Sequence, residues 1–167
     1  MGGVPVPGNL NIPDDERELR ERIARHPVEV ALSELLEGER PKRRGIVSIH
    51  SFSPVWDNRY RSCEIGIMWK QDNRLSLPLI EETRKLGGFS VEDNQPYSFA
   101  ESDWFTLDRH GLSIGVPNAY IEVRNDLIGN QPSIDVMADV LAVSIRSAFH
   151  SLDGNLYLDA TQLVPGE

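Results

Sequence analysis

His50 and Glu122 are the two residues of this 167-residue chain whose setting could do chemistry. His50 closes the run Gly45-Ile46-Val47-Ser48-Ile49 and is followed by Ser51-Phe52-Ser53-Pro54, a small polar turn stopped by a proline. Such an apolar run reads as a buried strand, and open α/β sheets bind ligands at the carboxyl ends of their strands. A histidine there suits metal ligation or acid–base work. Equally, a backbone hydrogen bond can satisfy it at a strand end. Glu122 lies inside Ala119-Tyr120-Ile121-Glu122-Val123-Arg124, with Asn125 and Asp126 beside it. A carboxylate within such a run is costly to bury unpaired. It is either an ion-pair partner of Arg124 or Arg109, or a general base raised towards neutral pH by partial burial. Two strands that both carry ionisable groups into a sheet tilt the reading towards function.

Other ionisable residues give weaker signals. His110, in Thr106-Leu107-Asp108-Arg109-His110-Gly111, reads alone as a loop histidine. His26 and Glu29 have a His-x-x-Glu spacing that can bind zinc from one helix face, but their helix is strongly charged and reads as a solvated face. His150 ends an amphipathic stretch, where a cation suits the helix dipole. Arg40, Lys42, Arg43 and Arg44 form a basic loop of solubilising character. Arg59 and Arg61 follow the His50 turn, where an arginine can fork onto a carboxylate or simply sit at the surface. The sequence has no phosphate-binding glycine loop, nucleophile elbow or dinucleotide fingerprint.

The elements that must position these residues alternate. Helices are expected over 14–25, capped by Asp14 and Asp15, and over 28–36, with Pro27 between them. Strands are expected at 45–50, at 62–69 and at 89–92, and a helix at 76–86 with Pro78 in its first turn and Gly87 after its end. A polar loop over 93–103 precedes a short extended piece at 105–110. The Glu122 strand follows, and then a long helix from Ser133, whose apolar stripe includes Ile134, Met137, Leu141 and Ile145. Alternation of this kind predicts an α/β domain with a mixed, largely parallel central sheet flanked by helices. The expected organisation is an arm over 1–13, one domain over 14–150 and a tail over 151–167.

Composition narrows the function. The chain is large enough to bury roughly 68–70% of its unfolded surface. Its net charge is −9, which argues against a general nucleic-acid binder, since phosphate binding needs a basic face. No segment approaches a membrane span. A single cysteine, Cys63, rules out a disulfide framework or a cysteine-rich metal site and points to a reducing, cytoplasmic setting.

Several blocks, taken in order, resemble the N-formylglutamate amidohydrolase family. They are Pro7-Gly8-Asn9, Ile49-His50-Ser51-Phe52-Ser53-Pro54, Arg61-Ser62-Cys63-Glu64-Ile65-Gly66-Ile67, Asp93-Asn94-Gln95-Pro96-Tyr97-Ser98, the His110 block, and Ile121-Glu122-Val123-Arg124-Asn125-Asp126-Leu127-Ile128. The resemblance covers about residues 4–145 and implies a zinc-carboxypeptidase-like fold. It implies zinc as cofactor with His50 as a ligand, and Glu122 as the general base of amide hydrolysis. It makes Arg61, Asn94, Tyr97, His110 and Arg124 candidates for holding the substrate or its oxyanion, and the substrate a small N-acyl acidic amino acid. Where relatives carry a histidine and a Pro-Trp pair, this chain has Glu29 and Ser62-Cys63. Relatives also carry a substantial N-terminal half with further strands and metal ligands. Three outcomes are therefore expected: an active amidohydrolase, a catalytically silent binding protein, or a subunit completed by a partner chain or second copy across an exposed apolar face.

Overall fold

The computed structural model describes residues 8, 10–38, 45–97 and 105–152. The basic cluster at 40–44, Pro7, Asn9, Ser98 and the expected tail from 153 lie outside the described residues. The chain forms two compact units, Met1–Arg43 and Arg44–Glu167.

In the first unit, α1 (Asp14–Arg20) and α2 (His26–Gly38) run into each other through one wider turn, Glu21–Arg25, in which the His26 N–H donates to the Glu21 carbonyl. Pro27, expected either to interrupt the first helix or to open a second, sits in the first turn of α2, where its missing N–H costs least. Arg25 Nε donates to the Glu29 carboxylate at 2.6 Å, so the Glu29 of the His-x-x-Glu spacing is tied to a neighbouring arginine.

The second unit is built on β1 (Ile46–Phe52), β4 (Ile65–Met68), β5 (Val91–Asp93) and β6 (Asn118–Arg124), in the order β1-β6-β4-β5. β1 runs parallel to β6, β4 is antiparallel to β6, and β5 is parallel to β4. The sheet is thus mixed and mostly parallel. A separate hairpin, β2 (Val55–Trp56) with β3 (Arg59–Tyr60), leaves the end of β1.

One face of this sheet carries the core. Ile65, Ile67, Val91, Ala119, Ile121 and Val123 pack against Leu79 and Ile80 of α3 (Ser76–Leu86) and against Met137, Leu141, Ala148 and Phe149 of α5 (Gln131–Leu152). α3 has the expected bounds. Its C-terminal Gly87 has φ 70° and returns its N–H to the Arg84 carbonyl, a left-handed stop that favours glycine. α5 starts two residues before Ser133 because Asn130 caps it, its Oδ1 accepting the Ser133 N–H at 3.1 Å.

The stretch 105–110, expected to be extended, is a helix, α4 (Phe105–His110). Leu107 and His110 are both buried and lie three residues apart, which is helical rather than strand spacing.

Gly66 in β4 marks a close approach. A Cβ there would overlap the backbone carbonyl of Gln95. Alanine in a strand normally gains stability over glycine. Gly66→Ala is instead expected to lose about 1–3 kcal/mol in urea denaturation, the usual cost of overpacking. A gain would show that the 94–97 loop yields freely.

Candidate active site

The two sheet pairings converge on Glu122. The β1–β6 register sets His50 opposite it, and the β6–β4 register sets Gly66 on its other side. Directly opposed residues share a face, so His50 and Glu122 project together from the face that α3 and α5 do not cover.

Tyr120, two residues earlier in β6, joins them. Its ring stacks on the His50 imidazole, with centroids 4.4 Å apart and planes 10° apart. Its hydroxyl acts on the Glu122 carboxyl and draws its pKa down. His50 Nε2 lies 3.0 Å from Ser48 Oγ, and partial burial lowers the imidazole pKa, favouring the neutral ring.

Glu122 is 4% exposed, and its Oε2 is buried with no hydrogen-bond partner among the described residues. Burial pushes the carboxyl up to about 7, against the opposing pull of the Tyr120 hydroxyl and the Arg61 charge. A carboxyl near neutrality can exchange a proton at working pH.

Arg124 does not neutralise it. Its Nε donates to Asp126 at 2.8 Å, its Nη2 to Glu64 at 3.3 Å, and its Nη1 to the carbonyls of Arg61 and Ser62 at 3.1 and 3.3 Å. Arg124 is 5% exposed, and its guanidinium braces the segment between the hairpin and β4.

Arg61 is held differently. Its Nη1 donates to the Tyr97 hydroxyl at 3.2 Å, and its guanidinium carbon lies 5.5, 5.2 and 5.0 Å from the ring centres of Phe52, Trp56 and Tyr97.

Asn94 fixes the loop that carries Tyr97. Its backbone N–H donates to the Ile67 carbonyl, and its Oδ1 accepts the Trp69 N–H at 3.0 Å. The Trp69 indole N–H donates to Asp93 at 2.8 Å, fastening the same loop. His110 is buried in α4, and its Nε2 has no hydrogen-bond partner among the described residues.

The sequence reading missed Tyr120, Phe52, Trp56 and Gly66. Tyr120 was detectable as the residue two before Glu122, hence on its face. Trp56 was detectable from Asp57-Asn58 flanked by Val55-Trp56 and Arg59-Tyr60, a short-turn hairpin signal.

Among the described residues, no three His, Cys, Asp or Glu side chains converge on a metal position. β1 is an edge strand of the described sheet. On the core side of that edge, a groove of about 700 Å³ opens between β1 and α5. It is lined by Ile49, Val123, Met137, Leu141 and Ile145, with His50 at its rim. Ile49 is 55% exposed there. No helix among the described residues is long and apolar enough to cross a membrane.

Comparison with known proteins agrees with this architecture. Residues 3–129 match the family model of N-formylglutamate amidohydrolase. A crystal structure of an Agrobacterium tumefaciens gene product superposes with a TM-score of 0.80 at 30% identity, over 91% of this chain and 61% of its own. The crystal structure of N-formylglutamate amidohydrolase from Ralstonia eutropha superposes with a TM-score of 0.59 at 19% identity, over 84% of this chain and 56% of its own. The second likeness concerns the fold alone. This chain spans less than two thirds of the length of either structure. No curated protein matches the chain.

Proposed function

We propose a function from one premise: this chain belongs to the N-formylglutamate amidohydrolase family. The proposed reaction is hydrolysis of the amide bond of an N-acyl acidic amino acid of the N-formylglutamate kind, with Glu122 as general base. The observation that carries this reading is the Glu122 carboxyl, buried, unpartnered at Oε2 among the described residues and poised at about 7.

Water adds across the C–N bond in this reaction. Its oxygen bonds to the acyl carbon as Glu122 takes a proton. The C–N bond then breaks, and the proton passes to the leaving nitrogen. Tyr120 favours the ionised carboxylate, while Oε2 remains for water. Arg61 offers its charge to a substrate carboxylate, while Asn94 and Tyr97 shape the loop beside it. Arg124 braces the backbone of Arg61. His110, with its buried Nε2, is the remaining candidate to touch substrate.

Zinc is implied by the family resemblance, and the described residues do not fit a zinc site by themselves. His50 is one ligand where a catalytic zinc typically keeps three. No step above passes through a metal.

A second reading is favoured by the place of His50, on an exposed edge strand beside an open apolar groove. A partner chain or second copy seated there would bring further ligands to His50 and cover the groove. A third, a binding protein on the same scaffold, is favoured by the bond of His50 to Ser48.

One experiment separates them: zinc content by elemental mass spectrometry and amine release from N-formylglutamate, on the chain and on His50→Ala. Hydrolysis with about one zinc per chain, both lost in His50→Ala, is expected if ligands from a partner complete the site. Hydrolysis that persists without zinc supports Glu122 acting with this chain's own residues. Binding of N-formylglutamate without zinc or hydrolysis leaves the binding protein.

A further inference from the structure

We propose that the β2–β3 hairpin is a specificity element, in which Trp56, with Phe52 and Tyr97, positions the Arg61 guanidinium to receive a substrate carboxylate. The inference rests on the reading above for the class of ligand and deepens it by naming what selects that ligand.

The hairpin is specified locally. Asp57 and Asn58 both have left-handed φ values, 49° and 57°, the conformation of the tight turn whose twist suits paired strands. Arg61 closes the base by donating its N–H to the Pro54 carbonyl at 2.8 Å. Two-residue strands are marginal alone, so side chains must hold the hairpin in place. Trp56 does so while remaining 51% exposed, its ring near the Arg61 guanidinium.

Rings hold a guanidinium in a particular way. Aromatic faces attract the cation and strip water from its flat sides, but they consume none of its five N–H donors. Only the donation to the Tyr97 hydroxyl engages this one among the described residues. Arg25, Arg74 and Arg124 each hold a carboxylate. Arg61 has no acidic partner among the described residues, in a chain of net charge −9. An oriented, unneutralised planar cation suits a bidentate carboxylate. Its charge is also felt at Glu122, which puts it within electrostatic reach of that carboxyl. Trp56 is therefore a positioning residue, and Arg61 the contact.

Isothermal titration with glutarate, which has no amide to cleave, tests this directly, with uncharged glutaramide as the comparison. Glutarate is expected to bind at least roughly tenfold more tightly than glutaramide, as a charge-assisted fork should. Arg61→Met removes that preference. Trp56→Ala weakens glutarate about three- to tenfold, and Trp56→Phe, which keeps a ring face, restores most of the loss. Circular dichroism and melting of each variant check the fold, and Arg61→Lys serves if Arg61→Met does not fold. Equal affinity for the two ligands, or glutarate binding untouched in Trp56→Ala, overturns the proposal. Discrimination without amide hydrolysis removes the catalytic reading and leaves this one standing. Hydrolysis without discrimination does the reverse.

Discussion

Glu122→Gln is expected to lower amide hydrolysis by about 10²–10⁴-fold, the usual contribution of a positioned general base, while leaving glutarate binding intact. Glutamine keeps the shape of the side chain but cannot take a proton from water. The check is amine release from N-formylglutamate in wild type and variant, with equal zinc and equal pH. Less than a tenfold loss would remove Glu122 from the chemistry.

The same substitution has a signature in stability. Burial raises the Glu122 carboxyl from an ordinary 4.5 to about 7, so the native state keeps a proton that the unfolded chain releases. A raised folded-state pKa contributes stability that is complete below about 4.5 and is lost as pH rises towards 7 and above. A shift of this size corresponds to about 3 kcal/mol at most. Denaturation midpoints of the wild type are expected to fall across that window relative to Glu122→Gln, whose profile lacks this component. With Glu122 as the proposed base, activity is expected to rise with pH through about 7. On that reading the site is expected to gain activity over the range in which this residue costs the fold most. Parallel pH profiles in wild type and variant would show that Oε2 is hydrated in solution.

The two centres of this arrangement were legible because each violates a pattern. A histidine ending an apolar strand and a carboxylate inside one are anomalies of periodicity, and the parallel pairing of β1 with β6 brings them into register. The α3 bounds were legible because Pro78 and Gly87 punctuate the sequence. What surrounds the centres was less legible, since it depends on non-local pairing. Gly66 becomes meaningful only when β4 lies against β6 and the Gln95 carbonyl descends onto it. Tyr97 reaches Arg61 across 36 residues through a loop fastened at Asn94. α4 was misread because a six-residue segment offers too few positions for period 2 to be told from period 3.6.

Arg124→Met is expected to cost about 3 kcal/mol, near the lower end for breaking a buried ion pair, and to weaken glutarate binding although Arg124 need not touch the ligand. Its side chain is 6% exposed, while those of Glu64 and Asp126 are 25% and 42% exposed. The partly wetted carboxylates recover hydration when the arginine is lost, which limits the penalty. The carbonyls of Arg61 and Ser62 have a different fate, because they lose the donor that ties the strand leaving the hairpin to β6. One further tie survives, the Arg124 backbone N–H to the Glu64 carbonyl at 2.8 Å, so the start of β4 holds against β6 while Arg61 is freed to shift. Arg124→Lys separates charge from geometry: it keeps the cation but cannot serve two carboxylates and two carbonyls at once. Recovery of stability in Arg124→Lys without recovery of glutarate affinity is the expected pattern. If both recover together, charge alone accounts for Arg124 and the brace on Arg61 has no functional consequence.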